Sequence, residues 1–439
     1  MVQDTDTIVA LATPPGRGGV GVVRVSGPLV RKIGAAITGQ NLPARQAVLT
    51  DFKDAHNVSV DKGIALFFAG PASFTGEDVL ELQGHGGPIV LQMLTRLVID
   101  LGARLARPGE FSERAFLNNK LDLAQAEAVA SLIDASSEAA ARAATRTLNG
   151  AFSQRVHSLS QEVVRLRVRV EAQVDFPEED IDSADLTALA NDLSALIEAV
   201  AFTRGEARQG RLLDQGIQIA LVGAPNSGKS TLLNRLAGED RAIVTDIPGT
   251  TRDVLSVELN LNGLPVTLYD TAGLTETEDV VEREGIRRAR QQAAEADIVC
   301  LVIDGKAGEQ NTLGLDVDPQ RLLRIWNKID VAPVPSEFSG VAVSALTGAG
   351  LNELRTRFLE LADFHPPVAA FSARARHLDA LDLARETLLE AQMLTNQGDA
   401  WELIAEALRL THGHLQDIVG VMSADDLLGE IFATFCIGK

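Results

Sequence analysis

The stretch GAPNSGKST, residues 223 to 231, follows an apolar run, IQIALVG (217 to 223), and precedes a helical pattern, STLLNRLAG. A G-x-x-x-x-G-K-[ST] loop works only where a strand ends and a helix begins, because its backbone N–H groups must converge on phosphate at the helix N-terminus. That context constrains the surrounding fold to strands alternating with helices around a parallel sheet, and the alternation persists from residue 216 to 363. Within the loop, Asn226, Ser227, Gly228, Lys229, Ser230 and Thr231 are the expected phosphate contacts. Lys229 neutralises the outer phosphates and the Ser230 hydroxyl holds magnesium.

Three further segments at strand ends identify the base. In LYDTAG (268 to 273), Asp270 ends a strand where its carboxylate reaches magnesium through water, the Gly273 N–H faces the last phosphate, and Thr271 and Ala272 are further expected nucleotide contacts. Asn262-Gly263 marks a two-residue hairpin before that strand. In RIWNKID (324 to 330), Asn327, Lys328, Ile329 and Asp330 form Asn-Lys-x-Asp, whose last carboxylate accepts two N–H bonds from guanine but finds no such donor pair on adenine. Ser344, Ala345 and Leu346 in VAVSALTG then offer backbone N–H groups to the guanine oxygen. The order of these segments implies a GTP site. Between them, IVTDIPGTTRD (243 to 253) is the expected switch segment, comprising Thr245, Asp246, Ile247, Pro248, Gly249, Thr250 and Thr251, with Thr251 on magnesium. The position after Asp-x-x-Gly, often a water-orienting Gln, is Leu274, so another group must orient the water.

Around this domain the pattern differs. Residues 1 to 118 mix short β-type runs (TIVALAT, VGVVRVSG, GIALFFAG, DVLELQG) with one helical stretch, PIVLQMLTRLVIDLG, predicting an α+β domain. From Leu121 the chain turns alanine-rich and strand-free. Asn149-Gly150 stops a first helix. A second carries Phe152, Val156, Leu159, Val163, Leu166 and Val170 on one face, and a third carries Leu186, Leu189, Leu193, Leu196 and Val200 towards residue 210. Residues 364 to 439 are helical again, so the expected architecture is multidomain α/β: an α+β domain at 1–118, a discontinuous all-α domain at 119–215 and 364–439, and an inserted Ras-like P-loop α/β domain at 216–363.

Composition excludes several classes. A net charge of -20 argues against nonspecific coating of nucleic acid, although a local basic surface such as Arg165, Arg167 and Arg169 or RRAR (287 to 290) remains a candidate for RNA docking. Two cysteines cannot make a disulfide framework, and the acidic start MVQDTDTIVALA lacks the positive region of a secretory signal, so a cytoplasmic location without a membrane is expected. GRGGVG (16 to 21) matches a dinucleotide fingerprint but leads into a strand pattern, VVRVSG, and reads as a Gly-rich loop or hairpin. His412 and His414 lack nearby metal-ligand companions, and Cys300 reads as buried core. Cys436 stands fourth from the end in FCIGK, yet Gly and Lys at the last two positions are wrong for prenylation. Ser423 and Asp426 read as a capping box for a final helix, LLGEIFATF.

TPPGRGGVGVVRVSG, ELQGHGG, FLNNKLDLAQAEA, GAPNSGKST, DIPGTTRD and the terminal CIGK together resemble the MnmE (TrmE) family of bacterial and organellar tRNA-modification GTPases over essentially the whole chain. The resemblance implies a potassium-dependent GTPase that pairs through its G domains and forms a constitutive homodimer through its N-terminal domains. It assigns potassium to Asn226, Thr245, Ile247 and Thr250, the water-orienting role to Glu282, and a place in the modification site to Cys436 as nucleophile or proton carrier. It further implies the flavoprotein partner MnmG, with FAD on that partner alone, in a heterotetramer. A tetrahydrofolate such as 5-formyltetrahydrofolate is bound by Arg24, Glu81, Lys120 and Lys439, and the wobble uridine of certain tRNAs is modified at carbon 5, with tRNA gripped mainly by the partner. The alternatives from the residues alone are a ribosome-assembly or regulatory GTPase switch and a dynamin-like assembly protein. The former would carry an RNA-binding module or a second G domain, and the latter an amphipathic basic segment, none of which stands in the chain.

Overall fold

The computed structural model describes residues 6–175, 183–240, 256–270, 294–308, 317–365, 370–397, 400–420, 425–433, 435 and 438. Contacts divide the chain into two compact units: Met1–Ala130 with Leu148–Phe176 and Ala405–Lys439, and Ser131–Thr147 with Pro177–Ile404.

The first unit is built on a six-stranded sheet of β1 (Ile8–Leu11), β2 (Gly18–Ser26), β3 (Val48–Lys53), β4 (Ser59–Phe68), β5 (Val79–Gly86) and β6 (Arg104–Leu105), in the order β3-β4-β5-β2-β1-β6. β2 starts at Gly18 and pairs antiparallel with β1, so GRGGVG opens a strand and no helix receives a pyrophosphate. Two helices cover the sheet, α1 (Val30–Thr38) and α2 (Pro88–Asp100), burying Ile33, Ile37, Leu91, Leu94 and Val98 against Val23, Val25, Leu80 and Leu82. Only α2 is evident as a helical stretch in the sequence of this region; α1, β3, β6 and the short α3 (Glu110–Leu117) are additions. α3 shows little apolar periodicity, because its buried side mixes Phe111 and Ala115 with Glu110, Ser112 and Arg114. Glu110 and Arg114 are almost fully buried, Arg114 bonds Asp6, Glu77 and Glu110, and Arg104 also bonds Glu110.

The alanine-rich segment is two helices rather than one, α4 (Leu123–Asp134) and α5 (Glu138–Leu148). The break has a local cause: the Ser137 hydroxyl accepts the Ala140 N–H, starting a new helix. Gly150, at φ +85°, then separates α5 from α6 (Ala151–Asp175). All six residues of the expected α6 stripe are buried. In the first unit, the last helix (α12, Asp425–Ala433) packs Ile431 and Phe432, with Phe435, against Leu123 and Ala126. Ser423, the proposed cap of this helix, lies outside the described residues.

The second unit holds the other sheet. Its strands β7 (Ile217–Val222), β8 (Ser256–Leu261), β9 (Leu264–Asp270), β10 (Ile298–Asp304), β11 (Leu322–Asn327) and β12 (Val341–Val343) run in the order β12-β11-β10-β7-β9-β8. All adjacent pairs are parallel except β8 with β9, whose turn is Asn262-Gly263, both at positive φ as a two-residue hairpin requires. β7 lies between β9 and β10, so the chain order reverses beside the loop that leaves β7, the place where open parallel sheets bind ligands. α7 (Ser183–Gln215) runs five residues beyond its expected end and leads almost directly into β7 through Gly216 at φ +67°. The segment Leu186–Gln215 is long and apolar enough to cross a membrane by length and composition alone. Here Leu189, Leu193, Leu196 and Val200 are buried, and Arg204 bridges to Asp382 on the neighbouring helix α10 (Ala375–Gln397) through two bonds. α8 (Lys229–Asp240), α9 (Leu351–Leu361) and α11 (Trp401–Val419) complete the described helices.

Candidate active site

At the end of β7 the loop from Gly223 to Gly228 turns into α8. Both of its glycines are constrained: Gly223 and Gly228 sit at φ +154° and +96°, and a Cβ on them would stand 2.4 Å from the Val302 carbonyl and 2.2 Å from Asn327 Nδ2. Asn226 is exposed at the tip with φ +61°. The Lys229 amine curls back onto the loop, donating to the carbonyls of Gly223 (2.9 Å) and Ala224 (3.0 Å). Burial pulls the pKa of Lys229 down, and the nearby Asp270 carboxylate opposes that shift. An ammonium parked on carbonyls inside a cleft has donors ready for phosphate oxygens.

Asp270 ends β9, and its Oδ2 accepts the Ser230 hydroxyl at 2.5 Å. Its Oδ1, like the Ser227 hydroxyl, is buried without a hydrogen-bond partner among the described residues. A buried carboxylate oxygen with free lone pairs beside a hydroxyl is the donor set of a hard divalent cation, so these residues fit magnesium.

The base side of the cleft is tied together by Asn327 at the end of β11. Its Nδ2 donates to the Ser227 carbonyl (2.8 Å), while its Oδ1 accepts the N–H groups of Lys328 (2.8 Å) and Ala345 (3.0 Å). The Asp330 carboxylate accepts the Ser344 hydroxyl at 2.6 Å and is otherwise exposed. Of the three N–H groups expected to face the guanine oxygen, those of Ser344 and Ala345 already donate to Ala349 O and Asn327 Oδ1. Leu346 is 73% exposed. Lys328, at φ +71°, reaches the Asn226 carbonyl (2.8 Å) and Asp304 (2.6 Å). Asp304 escaped the sequence reading; its only signal was Asp-Gly closing the apolar run ADIVCLVIDG.

Residues 241–255 and 271–293 lie outside the described residues, and with them Thr245, Asp246, Ile247, Pro248, Gly249, Thr250, Thr251, Thr271, Ala272, Gly273, Leu274 and Glu282. Cys300 is buried in β10, where burial pushes the thiol far up and leaves it unreactive.

In the first unit, Arg24 and Glu81 are cross-strand neighbours on β2 and β5, joined by bonds of 3.0 and 2.9 Å to one carboxylate oxygen. The guanidinium lies against the rings of Phe74 and Phe111, and Gln83 contacts the other oxygen at 3.4 Å. Lys120 donates to the Pro71 carbonyl, so the loop between β4 and β5 touches both Arg24, through Phe74, and Lys120. Gly438 comes to the same sheet. It packs so closely on the Leu11 carbonyl that a Cβ would stand 2.2 Å from that oxygen, and Ala10 beside Leu11 is the register partner of Arg24. Cys436 and Lys439 lie outside the described residues.

The family model described as MnmE helical domain matches residues 123–436, and that of the GTP-binding protein TrmE N-terminus matches residues 7–120. The curated tRNA modification GTPase MnmE of Nitrosococcus oceani is 49% identical over 446 residues, covering 99% of this chain and 97% of the relative. That of a Pseudomonas aeruginosa strain is also 49% identical, over 455 residues and the full length of both chains. The chain belongs to the MnmE family. It is accordingly a GTP-binding GTP hydrolase of tRNA modification, with a TrmE-type N-terminal domain, a helical domain and a P-loop GTPase fold. Among solved structures, an Era variant from Aquifex aeolicus bound to GDP.AlF4- is similar over 39% of this chain and 67% of its own, with 28% identity and a TM-score of 0.28.

Proposed function

We propose that this chain is a potassium-dependent GTPase that, as a cytoplasmic homodimer joined to the flavoprotein MnmG, modifies the wobble uridine of certain tRNAs at carbon 5 with a one-carbon unit from tetrahydrofolate. The observation that carries the hydrolase half is the buried Asp270 Oδ1, without a hydrogen-bond partner among the described residues, beside Ser230 and Lys229. Ser230 and Thr251 would hold magnesium, which supplies charge neutralisation at the phosphate oxygens. Asn226, Thr245, Ile247 and Thr250 would hold potassium, which supplies positive charge where a Gln or an arginine finger is missing. Glu282 would orient the attacking water. The loop N–H groups and Lys229 bind the phosphates, and Asp330 reads the guanine edge with the Ser344-Ala345-Leu346 turn.

The modification half is supported by Arg24, paired with Glu81, against aromatic rings, with Gly438 seated on the same sheet. Arg24, Glu81, Lys120 and Lys439 would bind the pterin edge and glutamate tail of a tetrahydrofolate, and Cys436 would act beside them. On this reading residues 1–118 form the folate-binding and dimerisation domain, 119–215 and 364–439 the helical domain, and 216–363 the G domain.

Mass spectrometry of wobble uridines from cells lacking the protein tests the whole reading: loss of the carbon-5 modification is expected, and unchanged nucleosides would favour a regulatory switch. GTP turnover at equal ionic strength in KCl and NaCl tests the potassium assignment, with at least tenfold faster turnover expected in KCl.

A further inference from the structure

We propose that Asp304 is a positioning residue of the nucleotide cleft, holding the Lys328 ammonium against the backbone carbonyl of Asn226. The inference rests on the guanine nucleotide reading above and deepens it. Asp304 is the last residue of β10 and stands in register with Asn327, the last residue of β11. Its Oδ2 lies 2.6 Å from Lys328 Nζ, and the same ammonium donates to the Asn226 carbonyl at 2.8 Å. A carbonyl alone holds a lysine weakly, because the flexible stem lets the ammonium return to water. The carboxylate removes that freedom by binding the ammonium with a charge-assisted bond.

Asp304 is itself held on every side. Its Oδ1 accepts the Lys306 N–H at 2.9 Å, which sets the carboxylate plane. The next residue, Gly305, donates its N–H to the Asn327 carbonyl at 3.0 Å, and a Cβ there would stand 2.6 Å from that oxygen. Burial alone would raise the Asp304 carboxyl, yet the bonds from Lys328 and Lys306 hold it below its usual range.

The bond spans two residues in an uncommon backbone region: Lys328 at φ +71° and Asn226 at φ +61°. Such conformations persist only where surrounding contacts enforce them. The chain of contacts therefore runs from the strand end, through the guanine-reading motif, to the tip of the phosphate loop. It ends on the residue assigned to potassium. Asp304 acts on nucleotide and cation through one lysine, without touching either.

The test uses full-length protein with Asp304→Asn, Lys328→Met and the double variant. Fluorescent GDP titrations give nucleotide affinity, and GTP turnover against KCl gives the half-activating concentration. Asp304→Asn should weaken nucleotide binding about tenfold and raise the KCl requirement, with kcat falling less than nucleotide affinity. In the Lys328→Met background the same change should alter nucleotide affinity less than about twofold, because its route is gone. Wild-type nucleotide affinity in Asp304→Asn, or an equal loss in both backgrounds, would overturn the proposal. If Asp304→Asn does not fold, wild-type affinity in Lys328→Met alone overturns it. Equal wild-type turnover in KCl and NaCl would instead remove the potassium assignment and leave the affinity arm to decide on Asp304.

Discussion

The nucleotide cleft and the Arg24–Glu81 site lie on sheets of equal strand number but use them oppositely. The cleft is made of loops leaving strand ends, where backbone groups lie outside the sheet ladder and the proposed phosphate contacts come from the main chain. Its requirements are conformational, which is why a Cβ at Gly228 would collide with Asn327 Nδ2. The other site stands in mid-sheet, where Arg24 and Glu81 lie on strands paired on both sides. On the proposed reading only side chains are left to meet a ligand there, and Arg24 and Glu81 are paired with each other. A main-chain site tolerates side-chain change except at its few charged or glycine positions. A side-chain site loses specificity with each residue.

The sharpest way to break this contrast is to remove a charged side chain from the loop site. Lys229→Ala should lower GTP turnover by roughly a hundredfold to a thousandfold, since a buried ammonium among phosphates acts where water cannot replace it. Steady-state hydrolysis measures it. Tetrahydrofolate binding, followed in parallel, should be unchanged; a matching loss there would mean the two sites are not separate constructions.

The second prediction concerns the frame behind the N-terminal site. Burial by itself would raise the Glu110 carboxyl, but hydrogen bonds from Arg104, the Arg107 N–H and Arg114 bring it below its ordinary value of 4.5. A depressed carboxylate stabilises the fold fully above its unfolded pKa and stops doing so as pH falls through the folded value. Glu110→Gln leaves Arg114 buried with one counter-charge fewer and should destabilise the first unit by about 3 kcal/mol. Hydrogen exchange of peptides covering residues 104–117 should report this as faster opening at neutral pH. The gap to wild type should hold down to about pH 4.5 and close in stronger acid.

The same contrast explains what could be read in advance. Gly223 and Gly228, Lys229 and the Asn262-Gly263 turn were legible because loop geometry dictates residue type at fixed spacing. The α6 stripe was legible because one apolar face recurs with helical period. Arg24 and Glu81 are 57 residues apart and meet only through the register of β2 with β5, which no local pattern encodes. They entered through resemblance alone. α1 escaped because Gly34 and its β-branched residues are poor helix formers, although Val30, Ile33 and Ile37 recur on one buried face. α3 escaped because Glu110, Ser112 and Arg114 interrupt its apolar buried side, and Asp304 because its partner Lys328 arrives from another strand.

A third prediction tests the side-chain site directly. Arg24→Gln keeps a donor toward Glu81 but removes the charge and the contact with Phe74 and Phe111. Affinity for 5-formyltetrahydrofolate, measured by equilibrium dialysis, should fall about tenfold while GTP hydrolysis stays within twofold. Unchanged folate affinity would remove Arg24 from the site and with it the idea that mid-sheet side chains make it.

The smallest effect is expected at the edge of the second unit, where a hairpin links the strand after residue 255 to the strand that carries Asp270. The Ser137 hydroxyl donates to the Gly263 carbonyl at the hairpin tip and accepts the Ala140 N–H, so one side chain both starts α5 and ties it to the turn. Ala139, Ala140 and Leu213 pack around the same tip, and apolar contact carries most of the attachment. Ser137→Ala removes the cap and one further hydrogen bond and should destabilise the second unit by about 1 kcal/mol. Trp326 lies in the core of that unit, so its fluorescence in a urea titration reports the change. GTP affinity should remain within twofold, because the hairpin supports Asp270 from behind without contacting nucleotide. A tenfold loss of affinity with unaltered stability would show that the tip of this hairpin belongs to the loop-built site, and the border between main-chain recognition and its scaffold would have to be drawn at α5.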